Sequence, residues 1–379
     1  MDFDFTDDQE MLRDSVRKWV DKGYDFERRR AIVRQGGFSR EAWGELAGLG
    51  LTGLTVAEAH GGMGFGPVDA MVALEELGRG LVLEPFAQGA LIAASVLAQA
   101  PPPLQSAWLP RIAAGEALVV LAHQERAARY RLNHVSATAQ DSGGSWTVSG
   151  AKSLVPVGDQ ADALIVPARV SGAADDPAGI ALFLVERAAA GVTARGYPTQ
   201  DGGRAAELTF RDAPAALIAP AGAGFAALEL AADIGIAAVC AEGVGAMDKL
   251  VALTVEYMNT RKQFGVTLAT FQALRHRIAD VKMQLELGRS MSYYASLKLH
   301  EPPEARRRAL SQAKVQLGQS MRFVGQQCIQ LHGGIGVTDE YIGSHYFKRL
   351  TVLEMTFGDT LHHLGEVSKR MQETAGVFA

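Results

Sequence analysis

Cys328-Ile329-Gln330-Leu331-His332-Gly333-Gly334-Ile335-Gly336 opens a stretch that runs to Leu364 and ends on Phe357-Gly358-Asp359-Thr360-Leu361-His362-His363. The glycines of the first turn mark a backbone that comes close to something, since a residue without a Cβ leaves its main chain open to a neighbour or a ligand. About six turns of helix later, Gly358-Asp359 interrupts the helical pattern again, where a polar group can be presented inward. Neither turn names a ligand, but both belong to a helical frame that can be followed outward.

Upstream the helical pattern holds back to Gly222. Phe225 to Arg261, as one long helix or a helix pair, then Phe271 to Leu299 and Glu304 to Leu331 carry apolar residues at helical spacing, and Thr338 to the C-terminus adds a last segment. In the first of these, Ala231, Ala232, Gly235, Ala237, Ala238, Ala241, Gly243 and Gly245 leave room for another backbone. Long helices joined by short turns predict an antiparallel four-helix bundle over residues 218–379.

Before the bundle the period changes. Ala117 to His123, Ser145 to Val148, Ala163 to Pro167, Gly179 to Val185, Val192 to Tyr197 and Ala206 to Phe210 are short apolar or alternating runs separated by Gly, Asp and Pro, the pattern of a small sheet or barrel over residues 117–217. Residues 1–116 read as helices again. Thr6 with Gln9 makes a capping box and Ser39 is a further cap candidate. Helices follow over Pro67 to Leu77 and Leu83 to Gln99, and Pro101-Pro102-Pro103 ends the run. The fold class expected is α+β: an N-terminal helical domain, a middle β-barrel or sheet domain and a C-terminal four-helix bundle.

Composition narrows the function. The chain has 379 residues, 48% of them hydrophobic and 21% charged, enough to bury a large core. A net charge of −5 argues against a nucleic-acid surface, and Arg306-Arg307-Arg308 reads as a solvated helix start. Cys240 and Cys328 sit in apolar helical contexts without partner spacing, which fits a reducing compartment and predicts no metal site. The acidic start (Asp2, Asp4, Asp7, Asp8) shows no secretion signal, so the expectation is a cytoplasmic protein without a membrane span. Ala59-His60-Gly61-Gly62-Met63-Gly64-Phe65-Gly66 looks like a phosphate loop but lacks the strand-turn-helix setting that such a loop needs.

The order of motifs resembles the acyl-CoA dehydrogenase family over nearly the whole chain. Phe3-Asp4-Phe5-Thr6-Asp7-Asp8-Gln9 resembles the family's first helix, and Gly48-Leu49-Gly50-Leu51-Thr52-Gly53, Gly61-Gly62-Met63-Gly64 and Glu75-Glu76-Leu77-Gly78-Arg79 resemble the segments that follow. Arg261-Lys262-Gln263-Phe264-Gly265 with Phe271-Gln272 matches its R-x-x-F-G and F-Q pair, and Gln330 to Gly336 matches its Q-x-x-G-G-x-G turn. The resemblance implies FAD, an acyl-CoA substrate, electron-transfer flavoprotein or a similar acceptor, and usually a tetramer in which the ADP part of FAD crosses a subunit interface. Under it Arg261 is a bidentate donor for the pyrophosphate, and Phe264 offers an aromatic face. Gln272 and Gln330 supply amides, and Gly333 and Gly334 supply main-chain N–H groups. Thr360 and His362 in the second turn, and His123 in the middle domain, are counted with the cofactor.

The same resemblance exposes what is missing. The family desaturates an acyl-CoA between its α and β carbons: a carboxylate takes the α-proton while a hydride passes to flavin. That carboxylate usually stands in a Y-E-G-T turn, and here the turn reads Phe357-Gly358-Asp359-Thr360. A second branch carries its Glu on the long helix, at the position that Gly235 holds here. The remaining candidates for the base are Asp359, one residue on and one methylene shorter, and Glu242, two helical turns beyond Gly235 in an apolar stretch, which could equally be paired to an Arg or Lys. In the middle domain T-E-P-x-A-G-S-D becomes His123-Gln124-Glu125-Arg126-Ala127-Ala128-Arg129-Tyr130, and the W-I-T strand becomes Leu154-Val155-Pro156. Such departures resemble the divergent subunits of dehydrogenases built from two related chains. The expectation is a dehydrogenase acting on a dicarboxylyl-CoA or other medium acyl-CoA, or else a catalytically silent partner subunit, in a homo-oligomer or in a heterotetramer with a related chain.

Overall fold

The computed structural model describes residues 5–375, with side chains as far as residue 371, so Phe3 and Asp4 of the opening motif lie outside the described residues. In chain order the helices are α1 (Asp7–Gly23), α2 (Phe26–Arg34), α3 (Arg40–Gly48), α4 (Pro67–Arg79), α5 (Ala93–Leu97) and α6 (Pro102–Ala113). The strands of the middle segment follow: β1 (Val119–Leu121), β2 (Thr138–Asp141), β3 (Trp146–Pro156), β4 (Ala163–Arg169), β5 (Ile180–Glu186), β6 (Val192–Pro198) and β7 (Arg204–Ala219). The last part holds α7 (Gly224–Thr260), a small hairpin of β8 (Lys262–Gln263) and β9 (Val266–Thr267), then α8 (Gln272–Lys298), α9 (Pro303–His332), α10 (Ile342–Met355) and α11 (Thr360–Ala375). Helices, then strands, then helices is the α+β order expected.

These elements gather into two compact units. One comprises Met1–Arg30, Pro67–Val82 and Ile236–Ala379; the other comprises Ala31–Gly66 and Leu83–Gly235.

In the first unit α8, α10 and α11 all pack on α9. The core follows the helical period: Leu310, Ala313, Leu317, Met321, Val324 and Cys328 of α9 meet Val239, Cys240, Val244, Met247 and Leu250 of α7. The small residues of α7 do allow a close crossing, because a Cβ on Gly245 would strike the Glu75 carbonyl, and one on Gly78 would strike that of Glu242. Thr6 caps α1 as read, its hydroxyl accepting from the Gln9 amide at 3.3 Å while the Gln9 side chain accepts from the Thr6 amide at 3.1 Å. Two expectations change. The segment from Thr338 onward is two helices, α10 and α11, split at residues 356–359. Arg306 is buried, not solvated, since its helix face turns toward Ala309 and Leu310.

In the second unit, β4, β2, β3, β7 and β5 pair in a ring, with β1 against β4 and β6 against β7. The sheet therefore closes on itself as a small barrel, in which buried Val166 of β4 and Phe183 of β5 pair on one face. β2 was not anticipated, and β7 runs nine residues past the expected end at Phe210, to Ala219. Pro101-Pro102-Pro103 does not end the helices but starts α6, where a proline fits the first turn because that N–H has no partner to lose. The expected helix over Leu83 to Gln99 is shorter, from Ala87 to Leu97, and opens with a wide turn. α7 is long and apolar enough to cross a membrane by composition, yet 72% of its most apolar window is buried in the protein.

Candidate functional site

α10 stops at Met355 and the chain reverses through Phe357 at φ 57° and Gly358 at φ 110°, both in the left-handed half of backbone space. Asp359 then caps α11, its Oδ1 accepting from the His362 amide at 2.8 Å. Beneath the turn lies Lys314 of α9, fully buried. Its Nζ donates to the carbonyls of Leu353 at 3.1 Å, Glu354 at 2.6 Å and Gly358 at 2.8 Å, so all three ammonium protons have an acceptor. Burial pushes this amine down to about 8.

Glu354, also buried, accepts through Oε1 from the Thr360 amide at 3.1 Å, the Thr360 hydroxyl at 2.7 Å and Arg322 at 3.1 Å. His363 Nε2 faces the Phe357 carbonyl at 3.0 Å and Nδ1 faces the Ser311 hydroxyl at 3.3 Å. The carbonyl can only accept, so Nε2 carries the proton and Nδ1 accepts from Ser311. Burial, reinforced by the Lys314 charge, pushes this imidazole down to about 3, which keeps it neutral.

This packing leaves no place for a side chain at Gly358. A Cβ there would stand 2.6 Å from His363 Nε2 and 2.7 Å from His362 Cδ2, on a backbone that disfavours any residue but glycine. The turn holds hydrogen-bonded structure where a proton acceptor would be presented. Glu242 reaches none of it: its Oε1 accepts from Arg349 Nε of α10 at 2.6 Å, an ion pair between α7 and α10. Asp359 and Glu242 therefore have separate partners.

The residues read as the cofactor end sit elsewhere on the same unit. Arg261 follows α7 directly, its amide donating to the Tyr257 carbonyl at 2.8 Å, and its side chain is exposed. Phe264, at the tip of the β8–β9 hairpin, is 92% exposed with φ 54°, touching Phe271 edge-on at 6.2 Å. Gln272 starts α8 and Gln330 lies in the last turn of α9, both exposed. Gly333 has φ 65°, and neither it nor Gly334 has any atom within 4 Å of where a Cβ would be. The two segments meet through rings: Tyr257 stacks on His332 with centroids 4.7 Å apart.

Thr360 and His362 are not at that end. Thr360 is buried against Gly318, its hydroxyl given to Glu354, and Gly318 and Gly333 are separated by roughly 20 Å of α9 at 1.5 Å per residue. His362 lies in the first turn of α11, half-buried, with its pKa lowered by burial.

His123 belongs to the second unit, just past β1. It is half-buried and pushed down to about 4 by burial and by the charge of Lys152. Lys152, buried, donates to Glu125 at 2.7 Å, and Glu125 also accepts from the amides of Ser136 and Ala137 at 2.8 and 3.1 Å. β3 bulges between Lys152 and Val155, which puts Leu154 at φ 52° and turns it outward. Pro156 has no N–H to give.

Lys314, Glu354 and Ser311 are functional neighbours that sequence patterns alone do not mark. The only signal was a charged residue, Lys314, on the apolar face of α9. Nor do such patterns mark Glu75 as a titrating group. Glu75 lines a cavity of about 250 Å³ with Arg13, Arg17, Asp248, Arg289 and Tyr293, and burial raises its pKa to about 7 despite Arg289 at 3.5 Å.

The exposed guanidinium of Arg261, the unobstructed main chain at Gly333-Gly334 and the bare ring of Phe264 suit an anionic, planar group arriving from outside the chain. They fit the ADP half of FAD. Leu154-Val155-Pro156 offers no hydroxyl and fewer N–H donors to a flavin ring, and fits the flavin half less well.

Comparison with known proteins agrees with this architecture. Family models for the acyl-CoA dehydrogenase N-terminal, middle and C-terminal domains match residues 6–116, 121–213 and 222–372. The long-chain specific acyl-CoA dehydrogenase of rat mitochondria (Rattus norvegicus) is 32% identical over 354 residues, covering 89% of this chain and 80% of its own. Among solved structures, a variant of the Tcur3481-Tcur3483 steroid ACAD superposes with a TM-score of 0.88 at 28% identity, covering 97% and 99% of the two chains. The ChsE4-ChsE5 complex of Mycobacterium tuberculosis shares the fold, with a TM-score of 0.88 at 23% identity over 99% and 100%.

Proposed function

Because the chain belongs to the acyl-CoA dehydrogenase family, whose cofactor is FAD, we propose that it is the base-less subunit of a two-chain acyl-CoA dehydrogenase. In this reading a related chain provides the carboxylate that takes the α-proton of an acyl-CoA thioester. FAD, when bound, supplies the hydride acceptor for α,β-desaturation. This chain's own residues bind and position: Arg261, Phe264, Gln272, Gln330 and the Gly333-Gly334 amides hold the ADP half of the cofactor. The turn at residues 356–360 is locked by Lys314, Glu354 and His363, and its one carboxylate, Asp359, is held as the cap of α11.

The observation that carries the reading is Gly358: a carboxylate is not only absent there but has no room. Asp359 is occupied as a helix cap and Glu242 as the partner of Arg349, which weighs against either as a base in an autonomous enzyme. Two similar structures, the ChsE4-ChsE5 complex and the Tcur3481-Tcur3483 steroid ACAD, carry paired names, which supports a heteromeric assembly. The proposed substrate is a dicarboxylyl-CoA or other medium acyl-CoA, with electron-transfer flavoprotein or a similar acceptor and a related chain in a heterotetramer.

The test is expression of the chain alone and together with a related chain. Visible spectra are recorded before and after acyl-CoA, and turnover is followed with a dye acceptor. Turnover is expected only for the pair; turnover by the chain alone overturns the proposal.

A further inference from the structure

His332 is buried in the last turn of α9, immediately before Gly333. Its Nδ1 faces the Cys328 carbonyl at 2.8 Å, and its Nε2 faces the Tyr341 hydroxyl at 2.8 Å. The carbonyl can only accept, so Nδ1 bears the hydrogen and Nε2 accepts from Tyr341. On one side of the ring lies Tyr257 of α7, at 4.7 Å between centroids, and Tyr341, the residue before α10, packs against it at 4.9 Å. Tyr257 is one helical turn before Arg261 and accepts the Arg261 amide. The turn beyond Gly333 folds back on this histidine, since a Cβ on Gly336 would meet His332 Cβ at 3.0 Å. One imidazole thus joins the end of α7, the end of α9 and the start of α10, with both ring nitrogens committed and both ring contacts aromatic.

We infer that His332 is a positioning residue that sets the Gly333-Gly334 turn and Arg261 at a fixed spacing for the ADP half of FAD. The inference rests on the reading of that end as a cofactor site. Arg261 and the glycine amides are each exposed and lie on different segments, and beyond the shared core of α7 and α9 the last contact between the two helix ends is this imidazole with Tyr257. His332 itself is buried and acts through Tyr257 and through the backbone it terminates.

The experiment measures FAD affinity by flavin fluorescence on the full-length protein, in the assembly in which it purifies, after removal of bound flavin. Tyr341→Phe removes one hydroxyl and keeps the ring. Its FAD dissociation constant is expected to rise several-fold, up to about tenfold, the range of one lost hydrogen bond, while affinity for FMN, which lacks the adenylate, stays unchanged. His332→Phe, which keeps the stack and loses both hydrogen bonds, is expected to weaken FAD binding at least as much. Equal weakening for FAD and FMN would mean general loosening and would overturn the positioning role. So would unchanged FAD affinity in both variants while Arg261→Ala weakens it. If Arg261→Ala itself leaves FAD affinity unchanged, the cofactor reading fails first and the clasp with it.

Discussion

Restoring the absent carboxylate by Gly358→Glu should neither create a catalyst nor leave the fold intact. The backbone at φ 110° lies where any side chain is strained, a penalty of about 1–3 kcal/mol. The new Cβ would sit 2.6 Å from His363 Nε2 and 2.7 Å from His362 Cδ2. His363 is not a flexible tip that can step aside, because it donates to the Phe357 carbonyl and accepts from Ser311. Displacing it forfeits those bonds at about 0.5–1.5 kcal/mol each. The variant should therefore lose roughly 2–6 kcal/mol, and Gly358→Ala should lose nearly as much, because the cost lies in the Cβ and not in the charge. Equilibrium urea unfolding gives the loss, and anaerobic addition of acyl-CoA to the FAD-loaded chain reports flavin reduction. A Gly358→Glu protein that unfolds with the wild type and bleaches its flavin with acyl-CoA would refute the account of this turn.

The other expected outcomes rest on single groups. Glu75 has a folded pKa of about 7, raised above the usual 4.5 by burial, so its contribution is fully present below pH 4.5 and lost as pH rises through 7. Glu75→Gln should match the wild type below about pH 4 and exceed it at pH 8 by up to about 3 kcal/mol; parallel denaturation curves at the two pH values would contradict this. Asp359→Ala should cost about 1 kcal/mol as a lost helix cap and Asp359→Asn less, with flavin reduction by the assembled enzyme unchanged in both. Stopped-flow traces that slow in step with loss of the carboxylate would instead make Asp359 the base. Lys314→Met leaves three carbonyls without their donor and should lower stability by about 1–3 kcal/mol, measured as a shift in urea midpoint at unchanged slope.

The long periodic segments were legible in the sequence because their apolar residues recur over many turns, and the small residues of α7 correctly implied a close crossing, now located at Gly78 and Gly245. What the sequence hid depended on context. The prolines at 101–103 break a helix interior but open a helix equally well, and only the chain beyond them decides which. Glu242 was read as either a base or half of an ion pair, and Arg349, more than a hundred residues away in sequence, stands against it at 2.6 Å. Lys314 could not be interpreted in advance because its partners are main-chain carbonyls that exist as a set only once residues 353–358 have turned.

The turn and the cofactor end differ in how they treat their polar groups, and that contrast bears on whether the chain works alone. At the turn the buried groups are matched: Lys314 meets three acceptors, Glu354 three donors and His363 one of each. A region waiting for a substrate would leave some of these groups open, so this one serves as structure. Along the same helix, at its C-terminal end, the opposite holds. Phe264 stands 92% exposed at positive φ, and Arg261 and the Gly333-Gly334 main chain are exposed too. A large aromatic held out at positive φ gains little from water or from its own chain. It becomes favourable when something apolar and planar covers it. On the proposed reading, the outward-facing half takes the cofactor, while the half that would carry the proton transfer is closed by its own hydrogen bonds.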